Sequence, residues 1–148
     1  IYGIPTVCIR PFNVYGRRQD PSSPYSGVVS KFLGKLREGL PPVIFGDGNQ
    51  TRDFVNVRDV VEIVTQSMER EEAVGQAFNC GTGRAISVNE LARTMISISG
   101  GDLAATHSET RLGDIRDSRA NIGKAAKLLG WEPKVTLEEG LRELWCSP

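Results

Sequence analysis

The chain has 148 residues, 39% of them hydrophobic and 24% charged, enough apolar material for the core of one domain. Eighteen basic and eighteen acidic side chains cancel to zero formal charge, so no global field draws in a polyanion and nucleic acid is excluded as the main partner. No apolar run approaches the roughly 20 residues that a bilayer span needs, and three cysteines without a CxxC pair beside a single histidine exclude a disulfide framework and a multi-histidine metal site. A cytoplasmic protein with buried thiols is expected, with His107 on a surface strand and no metal, membrane or nucleic-acid partner.

Gly3 and Pro5 break any helix before them, and residues 6–10 then alternate with Val7 and Ile9 apolar, as a short strand does. Pro11 is expected to end the ladder of that strand. Because the chain opens at Ile1 rather than Met and its first residues read as a helix end followed directly by a strand, a piece of a longer protein is expected. Residues 13–24, NVYGRRQDPSSP, are rich in turn formers and read as a loop leaving a strand end, where functional groups concentrate. Val28, Val29, Phe32, Leu33 and Leu36 recur at helical spacing until Gly39.

Residues 43–45 and 53–57 read as strands on either side of a glycine-rich turn. Asp59 with Glu62 suggests a capping box, followed by a helix with Val60, Val61, Val64 and Met68 on one face. Residues 77–80 form a further strand, and Ser87 with Glu90 opens a helix carrying Val88, Leu91, Ala92, Met95 and Ser99, stopped by Gly100 and Gly101. A strand within 104–111 and helices over 122–129, ended by Gly130, and 137–145, opened by Thr136 and Glu139, complete the chain. This alternation predicts an α/β fold with parallel pairing, built on a few strands of an incomplete sheet.

The segment FGDGNQTRDFVNVRD, residues 45–59, raises the question of a phosphate-cradling glycine loop. A dinucleotide fingerprint needs GxGxxG between a strand and a helix, so that the helix N-terminus meets the pyrophosphate. GDGNQT has Thr51 at the third position and a strand after it, and GTGRAI at 81–86 ends in Ile86, so both read as turns. Arg52 at a strand start and the arginines of RLGDIRDSR offer planar donor forks, which suit a diphosphate if two of them meet.

The stretches RPFNVYGRRQDPSSPYSGVVSKF, VIFGDGNQTRDFVNVRDVV, FNCGTGRAISVNELA and RLGDIRDSRANIGKAAKLLGWEPKVTLEEGL, in this order and spacing, closely resemble the C-terminal half of nucleotide-sugar epimerases and dehydratases. These are extended short-chain dehydrogenase/reductases, and the UDP-glucose 4-epimerases are the nearest branch. The resemblance implies that residues 1–148 are the C-terminal nucleotide-sugar-binding part of a larger enzyme whose N-terminal Rossmann domain holds NAD. It also implies a tyrosine in a YxxxK motif that removes the sugar 4-hydroxyl proton while hydride passes to NAD. Tyr2, Tyr15 and Tyr25 are followed four residues later by Thr6, Gln19 and Val29, so the chain lacks YxxxK. On this reading the chain alone is catalytically inactive and binds no NAD, and the family's homodimer is not expected of it.

By the same resemblance, Asn13 meets the sugar and phosphate, and Pro11 places its backbone near the nicotinamide ring. Arg52 and Arg111 grip the diphosphate, and Asp114 lies near the ribose. Phe45 meets the base, Val28 and Val29 line the nucleotide site, and Asn79 makes a further polar contact. The partner implied is a UDP-sugar or a related nucleotide sugar. A dehydratase or decarboxylase of the family, or a non-catalytic sugar-nucleotide-binding module, are the alternatives.

Overall fold

The computed structural model describes residues 1–20, 23 and 27–147. The described elements follow the order β1 (Cys8–Pro11), β2 (Asn13–Tyr15), α1 (Val28–Arg37), β3 (Val43–Phe45), β4 (Thr51–Arg52), β5 (Phe54–Asn56), α2 (Val57–Met68), β6 (Ala77–Cys80), β7 (Ile86–Ser87), α3 (Val88–Ser99), β8 (Thr106–Ser108), α4 (Gly123–Leu129) and α5 (Leu137–Cys146). Three strand pairs are parallel, β1 with β6, β2 with β5 and β3 with β8, while β4 and β7 run antiparallel. The expected α/β class with parallel pairing is therefore present.

Two differences lie at the start of the chain. The first strand sits two residues later than expected and retains Pro11, in register opposite Cys80, because the next donor, the Phe12 amide, takes the Cys80 carbonyl at 2.9 Å. Asn13–Tyr15, expected as loop, is instead β2, which pairs with β5 and buries Tyr15 to 1% exposure. The turn formers of that segment act only after Tyr15, since tertiary pairing overrides the local preference of Asn13. Residues 21, 22 and 24–26 of the expected loop lie outside the described residues.

The expected strand over 53–57 is β5 over Phe54–Asn56, and Asp53 separates it from β4. This side chain has no solvent exposure and accepts from the Thr82 amide at 2.7 Å, the Thr82 hydroxyl at 2.6 Å, the Gly83 amide at 2.8 Å and the Ala120 amide at 3.0 Å. One carboxylate thus ties the turn after β6 and the segment before α4 to the central chain, and four donors offset the cost of burying it.

Asp59 does not cap α2. Asn56 does, accepting from the Arg58 amide at 2.9 Å, and the helix begins three residues earlier than expected. Asp59, 1% exposed, faces inward and accepts from the Lys134 and Val135 amides at 3.0 and 3.2 Å, fixing the chain between α4 and α5. The buried side of α2 is accordingly Asp59, Ile63 and Ser67, whereas Val61, Val64 and Met68 of the expected apolar face are 60%, 40% and 80% exposed.

Two cores result. One gathers Phe32 and Leu36 of α1, Ile44, Phe54, Leu91 and Met95 of α3, and Leu141 and Leu144 of α5. The other gathers Val55, Ile63, Phe78, Cys80, Ala125, Leu129 and Trp131. Trp131 is fully buried, and its indole N–H donates to the Asp59 carbonyl at 3.2 Å, so its polar atom is satisfied as well. Gly140 is required by close approach, since a Cβ there would lie 2.2 Å from the Tyr15 hydroxyl oxygen and 2.8 Å from Asn56 Nδ2. Thr136 and Glu139 form the expected reciprocal capping box of α5. Of the cysteines only Cys80 is buried; Cys8 and Cys146 are exposed, which corrects the expectation of buried thiols, because neither strand β1 nor the end of α5 is covered on that side.

Candidate nucleotide-binding site

The parallel pair β3–β8 ends at Phe45 and Ser108, and the chain then turns through Gly46–Gly48 into β4, whose pairing with β7 sets Arg52 opposite Ile86. The N-terminal end of α1 approaches the same place with Gly27 as its cap residue. Between them lies a cavity of about 230 Å³, bordered by Asn13, Val28, Phe45, Arg52, Arg111 and Asp114. Three strand ends, one helix start and one late turn therefore converge, although the residues are spread over a hundred positions of sequence.

Arg52 is largely covered, with 14% of its side chain exposed, and its Nη2 donates to Asp114 Oδ1 at 2.5 Å while Nη1 donates to the Thr51 carbonyl at 2.7 Å. Arg111 lays its guanidinium over the Phe45 ring, 3.8 Å from the centroid. Arg111 and Asp114 stand on one turn, closed by the Asp114 amide donating to the Arg111 carbonyl at 3.2 Å, with Gly113 at φ +80°, where other residues are strained. The cavity thus presents two guanidinium groups, an aromatic ring, a carboxylate and an amide side chain, a set suited to a diphosphate, a base and hydroxyl groups.

Of the residues singled out in the sequence, Asn13, Val28, Phe45, Arg52, Arg111 and Asp114 border this cavity, and Val29, Asn79 and Pro11 do not. Val29, one position along α1 from Val28, turns into the core at 3% exposure, because successive helical residues face different directions. Asn79 lies on β6 opposite Arg10 and donates to the Asn121 carbonyl at 3.2 Å, which ties strand to loop. Pro11 is at the exposed end of β1 and is not among the cavity's residues. Asp114 borders the cavity with its oxygens engaged by Arg52 at 2.5 Å and by Gln50 Nε2 at 3.5 Å.

Lys31, Phe32, Gln50 and Val88 also border the cavity and were not anticipated. Lys31 carried a legible signal, since it follows Val28 by three positions on one helical face. Gln50, 8% exposed and donating to the Phe45 carbonyl at 2.8 Å, carried none, because only the fold brings the Phe45 carbonyl and Asp114 within its reach.

Neither glycine turn is an open phosphate cradle. Gly48 packs against Asn89, whose Oδ1 would lie 2.1 Å from an added Cβ, and Asn89 Nδ2 donates to the Asp47 carbonyl. The amides of Thr82 and Gly83, which a phosphate would need, are taken by Asp53. Neither turn therefore offers the free amides that an NAD pyrophosphate would need. In the first turn Asp47 is paired with Arg116 at 2.9 and 3.1 Å, and the hydrogen bonds from Arg116 hold its carboxyl down at about 2. His107 is on the surface strand β8, as expected, with Nδ1 2.8 Å from the Gly46 carbonyl. Among the described residues no group of three metal-ligating side chains occurs, and no helix is long and apolar enough to cross a membrane.

Comparison with known proteins decides the family. Residues 1–81 match the model of the NAD dependent epimerase/dehydratase family. The chain belongs to that family. Across 141 residues it is 40% identical to UDP-glucose 4-epimerase of Mycolicibacterium smegmatis, a match covering 95% of this chain and 44% of the relative. Its fold superposes on UDP-glucose 4-epimerase of Thermotoga maritima, solved with UDP-glucose, with a TM-score of 0.90 and 43% identity over 95% of this chain and 45% of that one. UDP-glucuronic acid decarboxylase 6 of Arabidopsis thaliana is 34% identical over 140 residues, 95% of this chain and 40% of the relative. The family member described here thus spans less than half the length of these relatives.

Proposed function

We propose that this chain is the nucleotide-sugar-binding part of an NAD-dependent 4-epimerase that acts on a UDP-sugar, with UDP-glucose/UDP-galactose interconversion as the first reading. The observation that carries it is the convergence of Arg52, Arg111, Phe45, Asn13 and Asp114 on one cavity. Two guanidinium groups suit the diphosphate, and the Phe45 ring suits the base. Asn13 stands at the start of β2, next to the strand end where Pro11 would face a nicotinamide held by the rest of the enzyme.

On this reading NAD and the catalytic tyrosine reside on a separate N-terminal unit, and residues 1–148 bind substrate without turning it over. The uncovered side of β1 supports this: three of its four residues are exposed, and β6 is its partner among the described residues. A parallel pair is ordinarily covered on both faces and flanked by further strands. The whole enzyme is expected to work in the cytoplasm, with its dimer contacts on the other unit.

Calorimetric titration of the chain with UDP tests the reading. Micromolar to millimolar binding that is lost in Arg52→Ala and Arg111→Ala supports it, and a chain that ignores UDP at millimolar concentration refutes it as an independent half-site. A second reading, decarboxylation, is favoured by the similarity to the Arabidopsis decarboxylase. The full-length enzyme distinguishes the two: carbon dioxide released from UDP-glucuronate selects decarboxylation, and equilibration of UDP-glucose with UDP-galactose selects epimerisation.

A further inference from the structure

Both guanidinium groups of the cavity are already engaged by the chain itself. Arg52 is bound to Asp114 at 2.5 Å, and Arg111 is stacked on Phe45 at 3.8 Å. The two restraining contacts share one support, the four-residue turn from Arg111 to Asp114, which gives one residue to each. The turn itself is lightly held: Leu112 at its tip is fully exposed and Ile115 just beyond it is 62% exposed. Arg111 and Phe45 also border a second groove of about 550 Å³ with Lys31, Lys35 and Val43, so the stacked pair stands as the wall between two spaces. Lys31 lies on both sides of that wall.

We infer that this turn is a self-neutralising latch that selects nucleoside diphosphates over bare diphosphate. The inference rests on reading the cavity as a nucleoside diphosphate site. A bare diphosphate must draw Arg111 off an aromatic face and Asp114 off Arg52, and it returns nothing to either group. A nucleoside diphosphate replaces both contacts: its base takes the Phe45 ring as Arg111 leaves, its ribose hydroxyls donate to Asp114 as Arg52 leaves, and its diphosphate takes the two cations. Base and diphosphate therefore bind with positive coupling, although they touch different atoms, because each releases a group that the other uses. The selectivity comes from the contacts the ligand has to break, an element as effective as the contacts it makes.

The test is calorimetric titration of the chain with UDP and, separately, with inorganic pyrophosphate, in the wild type, Phe45→Leu, Phe45→Tyr and Asp114→Asn. Phe45→Leu removes the stacking face, so pyrophosphate binding should tighten about two- to five-fold, the range of an exposed cation–π contact, while UDP binding weakens. Phe45→Tyr keeps a ring and should leave pyrophosphate binding as in the wild type. Asp114→Asn, which does not touch the ring, should also tighten pyrophosphate binding by releasing Arg52. Opposite responses to the two ligands are not the signature of a misfolded variant, which loses both.

If UDP binds and is weakened by Arg52→Ala, yet neither Phe45→Leu nor Asp114→Asn tightens pyrophosphate binding, the latch is refuted and the binding site stands. Failure of the wild type to bind UDP removes the site and the latch together.

Discussion

The two cores of this molecule have opposite relations to their surroundings. Around Phe32, Leu91 and Leu141 the helices α1, α3 and α5 close on one another, and the cavity opens on a surface whose two arginines are engaged within the chain. Around Ile63, Phe78 and Trp131 the inner side is as well packed, but the outer side of β1 and the Val61, Val64 and Met68 face of α2 remain open. The first region is finished as a binding surface, whereas the second has the composition of an interior on its outside. Apolar stripes rimmed by polar residues mark places where other protein surface docks. On the proposed reading, ligand recognition and attachment to the rest of the enzyme are assigned to different halves of one small fold.

The strongest ways to break this division remove packing inside the second core or at the approach of α5 to β2 and β5. Trp131→Ala should cost about 3–5 kcal/mol, measured by urea unfolding, because it empties a large site with no solvent exposure and frees the Asp59 carbonyl. Gly140→Ala should cost about 1–3 kcal/mol or more, since its methyl group would fall on Tyr15 and Asn56. A Gly140→Ala chain as stable as the wild type would show that α5 can shift freely against β2 and β5.

Alkaline pH separates the cores chemically. Burial pushes the Tyr15 hydroxyl from 10.0 up to about 12 and the Cys80 thiol from 9.0 up to about 12, so in each case folding favours the neutral form. Their contribution is fully present below the unfolded values and is lost as pH rises through the folded ones. Stability should hold to about pH 9 and then fall toward pH 12, by roughly 3 kcal/mol for Tyr15 alone. In Cys80→Ala the decline should begin nearer pH 10, where the tyrosine starts to titrate. Asp47, held down at about 2, acts at the other end: its contribution is present above 3.8 and disappears as pH falls to about 2.

Arg52→Ala and Arg111→Ala sharpen the comparison by acting on the finished surface alone. Each should weaken UDP binding about ten- to hundred-fold, the worth of a charged hydrogen bond of 1.5–3 kcal/mol, as titration calorimetry reads it. Asn79→Ala, in the other half, should change that affinity less than two-fold. The smallest effect is expected on the open face: Val61→Lys with Met68→Lys should shift the stability of this chain by no more than about 0.5 kcal/mol in thermal unfolding. In the full-length enzyme the same pair should impair assembly or activity, and full activity there would show that α2 is not a docking face.

Several features were readable from local chemistry alone. The capping box at Thr136 and Glu139 and the helices over 28–37 and 88–99 follow from spacing and side-chain reach within a few residues. The failure of GDGNQT as a dinucleotide loop was equally local, and the structure adds that Asn89 packs against its second glycine. Asp59 shows where such reasoning ends. Its position before an apolar run imitates a helix cap, yet its partners are the amides of Lys134 and Val135, some seventy-five residues away. Tyr15 and Asn13 were hidden by the turn formers beside them, because strand pairing with β5 is a long-range contact.

By itself the sequence determined the α/β class, the family pattern and the chemical types at the site: cations, a ring, a carboxylate and an amide. Those depend on residue identity and short spacing, which the linear chain carries. Only the tertiary structure decided that Arg52 and Arg111 reach one cavity while Asn79 does not, that Val28 faces it while Val29 turns into the core, and that each arginine is already held by Asp114 or Phe45. Such pairings join residues up to about a hundred positions apart, and their geometry is set by parallel strand register and helix packing rather than by any local preference.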